Sequence, residues 1–176
     1  VRIWSARTGE ARRVLRGHQY GVKAVAWSPD GAILASAGGD PQHGEILLWD
    51  NSNGSQMASL TGYASTVFDV AFSRDGKLLA SSGYDSLLRV YDVAEHSEIA
   101  TLPSNQTGLT RRVLFADDDR TLLSCGNLLS IYDVVGRAHR RDIPHDATSD
   151  LKLSPQGDVL AAAAWTGGSV ALYDYP

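Results

Sequence analysis

Two unrelated markers recur along the 176-residue chain with a shared period, and this coincidence restricts it to folds built by repetition. The first marker is a strand end: Ile46-Leu47-Leu48-Trp49-Asp50, Leu88-Arg89-Val90-Tyr91-Asp92, Leu129-Ser130-Ile131-Tyr132-Asp133 and Val170-Ala171-Leu172-Tyr173-Asp174. Val1-Arg2-Ile3-Trp4-Ser5 opens the chain in the same pattern, with Ser in the Asp place. The aromatic position falls at residues 4, 49, 91, 132 and 173, spacings of 45, 42, 41 and 41. The second marker is a turn: Ser28-Pro29-Asp30-Gly31, Ser73-Arg74-Asp75-Gly76 and Ser154-Pro155-Gln156-Gly157. Ala116-Asp117-Asp118-Asp119 stands in the same place without its glycine.

Within each period the local signals are all β. Short runs rich in Val, Leu, Ile and aromatics are bounded by Gly, Pro, Asp, Asn or Ser. In the most complete period they predict strands over Val22 to Trp27, Ile33 to Ala37, Glu45 to Trp49 and Ser55 to Leu60. Asn53-Gly54 has the chemistry of a tight turn between the last two. No window of eleven or more residues carries a helical period, and Ala161 to Ala164 falls where other repeats have their second strand. A four-stranded sheet of about 40 residues cannot bury both faces alone, whereas sheets stacked side by side bury one another.

With its Gly17-His18 and Trp49-Asp50 ends, its turn and its period, the sequence resembles the WD-repeat family of β-propellers over essentially its whole length. The resemblance implies an all-β fold of four-stranded antiparallel blades. It also implies a structural hydrogen-bond network of His18, Ser36, Asp40 and Trp49, which braces a blade and does no chemistry. Three extra residues around Pro41-Gln42-His43-Gly44 require the turn before Trp49 to bulge. The next repeat keeps Ser81 and Asp85 but has Tyr63 and Tyr91 in the His and Trp places. The third offers Ser124 and Tyr132, and the fourth His145 and Tyr173 with alanine in the Ser place and Gly167 in the Asp place.

The repeat units divide the chain into 1–16 (partial), 17–60, 61–102, 103–143 and 144–176, the last without an outer strand. These pieces do not tile into a closed four-blade ring, so an open segment of a larger propeller is expected, completed by further blades of a parent chain or by self-association. The chain opens at Val1, which fits a piece of something longer. On this reading the end blades expose apolar faces and strand edges.

The formal charge of -4 is mild and implies no general attraction to nucleic acid or acidic membrane, so neither is an expected partner, and no stretch reaches the roughly 20 apolar residues of a membrane span. Cys125 is the only cysteine, which excludes an internal disulfide and leads us to expect a cytoplasmic, reducing location. No cofactor, metal site or catalytic residue is expected. Asp117-Asp118-Asp119 reads as a solvated turn, and the arginines at 7, 12, 13, 16, 137, 140 and 141 read as solubilising charges on the rim. Function is therefore expected from surface residues. In the family, partners often dock on the face where first strands begin. By position that face holds Lys23, Phe68, Arg111 and Ser149, with Tyr20 and Tyr84 in nearby turns. Tyr20, Lys23, Phe68, Tyr84 and Arg111 are the candidate partner-binding residues, because aromatic and arginine side chains dominate binding hot spots. The leading expectation is a non-catalytic protein-interaction scaffold, a module of a larger regulatory or assembly protein. The alternative is a lactonase- or peptidase-like propeller enzyme with its metal or nucleophile at the central channel, drawing on Asp69, Arg111 and Asp150.

Overall fold

Seventeen strands and no helix form among residues 1–104, 109–143, 148–164 and 167–175, the residues that the computed structural model describes. They run β1 (Arg2–Trp4), β2 (Ala11–Val14), β3 (Val22–Trp27), β4 (Ile33–Gly39), β5 (Gly44–Asp50), β6 (Gln56–Tyr63), β7 (Val67–Phe72), β8 (Leu78–Gly83) and β9 (Leu87–Asp92). The second half comprises β10 (Ser97–Pro103), β11 (Arg112–Phe115), β12 (Thr121–Cys125), β13 (Leu129–Asp133), β14 (Ala138–Ile143), β15 (Thr148–Leu153), β16 (Val159–Ala164) and β17 (Val170–Asp174). Ala161 to Ala164 lie in β16, a second strand, as their phase in the repeat requires.

Each strand pairs antiparallel with the next in sequence inside its own sheet, because the links are short turns. The sheets are β1–β2, β3–β6, β7–β10, β11–β14 and the three-stranded β15–β17. The recurring turn closes each first hairpin. Gly31, Gly76 and Gly157 adopt φ of 70°, 75° and 76° there, and Asp119 takes the equivalent left-handed position at 51°. That strained conformation is one an aspartate tolerates better than most residues. The carboxylates of Asp30 and Asp75 accept the Ala32 and Lys77 backbone N–H groups, and Asp118 accepts that of Arg120, so each turn satisfies its own donors.

The sheets pack face to face as successive blades. Ile46, Leu48, Val67 and Leu79 seal the first seam, Leu88, Val90, Val113 and Leu122 the second, and Leu123, Leu129, Leu151 and Leu160 the third. The β1–β2 hairpin covers only part of the first blade's outer-facing side, through Leu15, Leu34, Leu47 and Trp49. The inner strands β3, β7, β11 and β15 lie side by side, and residues from all four line a cavity of about 520 Å³. The arrangement is an open fan, not a closed ring. Its two ends leave Val25, Trp27, Val170 and Leu172 exposed, Leu172 at 71%.

Several rim arginines brace as well as solubilise. Arg13 donates to the Asn51 and Ser52 carbonyls at 3.1 Å, and Arg137 to that of Ile99 at 2.6 Å, each joining one blade to its neighbour.

Candidate functional site

Register identifies equivalent positions in the blades. Ser36 faces Val25, Ser81 faces Val70, Ser124 faces Val113, and Ala162 faces Leu151. At Ser36, Trp49 Nε1 donates to Oγ at 2.7 Å and His18 Nε2 lies 2.7 Å away. The far side of the imidazole is held by Glu45, whose carboxylate lies 2.8 Å from Nδ1. Asp40, expected in that place, is instead turned into its own loop, where it accepts the backbone N–H groups of Gln42 and His43 and lies 3.1 Å from the His43 ring. The reason is the insertion. It lets β4 and β5 pair as far as Gly39 and Gly44, which puts Asp40 at the turn and brings Glu45 alongside His18.

The second blade rebuilds the same brace from phenols. Tyr91 donates to Tyr63 at 2.6 Å, and Tyr63 lies 2.9 Å from Ser81 Oγ. Burial raises both phenols, Tyr91 to about 12, so they stay protonated and able to donate. Asp85 reaches neither ring. It pairs with Arg89 at 2.7 Å, and the guanidinium lies 4.4 Å from the Tyr63 ring centre. The sequence signal for Arg89 is a charge in the apolar middle of a strand.

In the third blade Ser124 is fully buried with no hydrogen-bond partner among the described residues. The polar contacts have moved outward, where Asp142 accepts from Ser130 at 2.7 Å and lies 2.9 Å from His139 Nε2. Here the carboxylate stands between serine and histidine. A hydrolase relay needs the histidine in the middle. His145 of the fourth repeat lies outside the described residues.

The channel set differs from the expected one. Arg112, not Arg111, joins Asp150 (2.8 Å) to Asp69 (3.6 Å), and Asp69 also accepts the Val113 N–H at 3.0 Å. Arg112 makes its short bond to Asp150, so burial dominates at Asp69 and lifts its pKa to about 6. Cys125 nearby is buried, and burial pushes its thiol up to about 12, which leaves it unreactive.

The expected docking residues converge for a local reason. Lys23, Phe68 and Ser149 are each the unpaired residue of a register shift at the start of an inner strand, between Val22 and Ala24, Val67 and Asp69, and Thr148 and Asp150. In the third blade Arg111 donates its N–H to the Cys125 carbonyl while Arg112 faces the same residue. A bulge re-aims its side chain out of the alternation of the strand. Lys23, Phe68, Arg111, Arg112 and Ser149 accordingly line one cavity of about 300 Å³. Lys23 Nζ stands 6.0 Å from the Phe68 ring centre, and Tyr84, half exposed, meets Phe68 edge-on at 4.9 Å. Tyr20 is engaged elsewhere, stacked flat on His43 at 5.5 Å.

The comparisons with known proteins bear on the same repeats. Residues 9–50 and 54–92 match the family described as WD domain, G-beta repeat. The chain thus carries WD repeats over these residues, a little under half of its length. Its fold superposes on the structure of U3-55K with a TM-score of 0.83 at 23% identity, covering 93% of this chain and 52% of that one. The crystal structure of the RRP9 WD40 repeats gives 0.83 at 24%, over 93% and 51%. A 50-residue stretch of the WD-repeat chain is 46% identical to centriole proteome protein 16 of Chlamydomonas reinhardtii, spanning 28% of this chain and 2% of that protein. Small ribosomal subunit protein RACK1y of Oryza sativa subsp. japonica is 46% identical over 50 residues, 28% of this chain and 14% of its own length. The WD-repeat chain thus spans about half the length of these solved structures, and its matches cover a small part of these curated relatives. WD-repeat proteins are in general protein-interaction scaffolds.

Proposed function

We propose that this chain is a non-catalytic docking module of a larger regulatory or assembly protein, that it acts in the cytoplasm, and that it holds a protein or peptide on the face where its inner strands begin. One observation carries the reading. Phe68, Tyr84 and Lys23 form an accessible aromatic and basic ledge beside the cavity at the start of the inner strands. Large rigid rings of this kind contribute binding area with little loss of side-chain freedom. The likeness to small ribosomal subunit protein RACK1y, whose name places it in an assembly, favours the same reading. The buried, unreactive Cys125 fits the reducing location.

The test is affinity capture with the purified chain against Phe68→Ala/Tyr84→Ala, whose unfolding midpoint in urea should stay near that of the parent. A partner held by the parent and lost by the variant is the expected result. An unchanged set of captured proteins would remove the ledge from the docking surface.

A further inference from the structure

We infer that the cavity between Lys23 and Arg111 receives carboxylate side chains from an extended acidic segment of the docked partner, with Phe68 and Tyr84 packing beside them. This rests on the docking reading above and names the chemistry of what docks.

The charge balance at the cavity runs opposite to that of the chain. Acidic residues outnumber basic ones, 20 to 16, yet the described lining holds Lys23, Arg111 and Arg112 and no carboxylate. The charge of Arg112 is engaged on the channel side by Asp69 and Asp150. Lys23 makes no ion pair among the described residues and lies near the Phe68 ring at 6.0 Å, a loose contact in solvent. An ammonium so placed is available to a carboxylate, and a charge-assisted bond there is stronger than a neutral one. The Arg111 side chain lines the same cavity and adds positive charge to its wall. Ser149 contributes little, because its Oγ already donates to the Ala163 carbonyl at 3.1 Å.

The geometry points to an extended segment. The lining residues come from the starts of the four successive inner strands, Arg111 just ahead of β11, so a ligand touching Lys23, Phe68 and Arg111 crosses three blades. The basic lining is confined to one cavity of about 300 Å³, which suits a short acidic segment better than a longer polyanion such as RNA.

The probe is a fluorescein-labelled peptide of alternating glutamate and serine around a central phenylalanine, read by anisotropy. Its controls are a glutamine-for-glutamate version and a single-stranded RNA of similar length. The glutamate peptide is expected to bind, and its affinity to fall several-fold as salt rises toward physiological strength. The glutamine version, and the glutamate peptide on Lys23→Glu, should each bind about tenfold more weakly. Circular dichroism of Lys23→Glu should match the parent, since the side chain is exposed. Equal binding of both peptides, or tighter binding of the RNA, overturns the acidic assignment. If Phe68→Ala abolishes that equal binding, the docking face itself survives. If no peptide binds, the acidic assignment fails, and the capture experiment with Phe68→Ala/Tyr84→Ala decides separately whether the face docks anything.

Discussion

Three serines at one structural position carry three different energies. Ser36 accepts from Trp49 and meets His18, Ser81 meets Tyr63, and Ser124 is buried without a partner among the described residues. Removing Ser36 strands two buried ring nitrogens, whereas removing Ser124 removes a buried hydroxyl that bonds to nothing described. Leaving a buried polar group unpaired costs about 1–3 kcal/mol. Ser36→Ala is therefore expected to destabilise by about 2–3 kcal/mol and Ser81→Ala by about 1 kcal/mol, while Ser124→Ala changes stability by less than about 0.5 kcal/mol or raises it. Urea unfolding of the three variants measures this order, and equal losses would show that the hydroxyls act only by filling space. The fourth blade already carries alanine at this place, Ala162, fully buried.

At the scale of the element, the inner strands are tied across blades by Asp69, Arg112 and Asp150. Burial lifts Asp69 from its ordinary 3.8 to about 6. The folded state therefore binds a proton that the unfolded chain releases between those values. The resulting stability is fully present below about pH 4 and is lost as pH rises through about 6. The largest effect such a shift allows is about 2–3 kcal/mol. Asp69→Asn keeps an oxygen to accept the Val113 N–H but does not titrate. Its stability relative to the parent should rise from acid to neutral pH, read as the difference between two urea midpoint curves. Parallel curves would mean that Arg112 already neutralises the carboxylate in the folded state. Asp75 shifts the other way, to about 2, because it accepts from Lys77 and Ser73, and it favours the fold above its ordinary value.

At the scale of the molecule, apolar surface remains at both ends of the fan. Val25 and Trp27 flank the first blade, Val170 and Leu172 the last, and β17 has one edge unpaired among the described residues. Exposed apolar faces and open edges promote association. The 176-residue chain alone should show a mass that rises with concentration in light scattering, and Trp27→Asp combined with Leu172→Asp should return it toward monomer. A monomer at every concentration, with no change in the variant, would mean that these faces are not adhesive. In the proposed parent protein, further blades would cover them.

Strand positions, their grouping into small antiparallel sheets and the open fan could all be read from the chain, because they follow from alternation, turn chemistry and period. These are local properties that each repeat states again. Lys23, Phe68 and Arg111 could be picked out for the same reason, as equivalent places in successive repeats. Other features waited for the packed structure. Glu45 replaces Asp40 beside His18 because an insertion moved the strand pairing, and Arg112 takes the channel role considered for Arg111 because adjacent side chains leave a bulge in different directions. Arg89 reaches Tyr63 and Asp85 at once only because the folded blade brings both within range of its guanidinium. Spacing along the chain sets which strand a residue occupies, but side-chain reach across strands and blades depends on register and packing, and only the tertiary structure contains those.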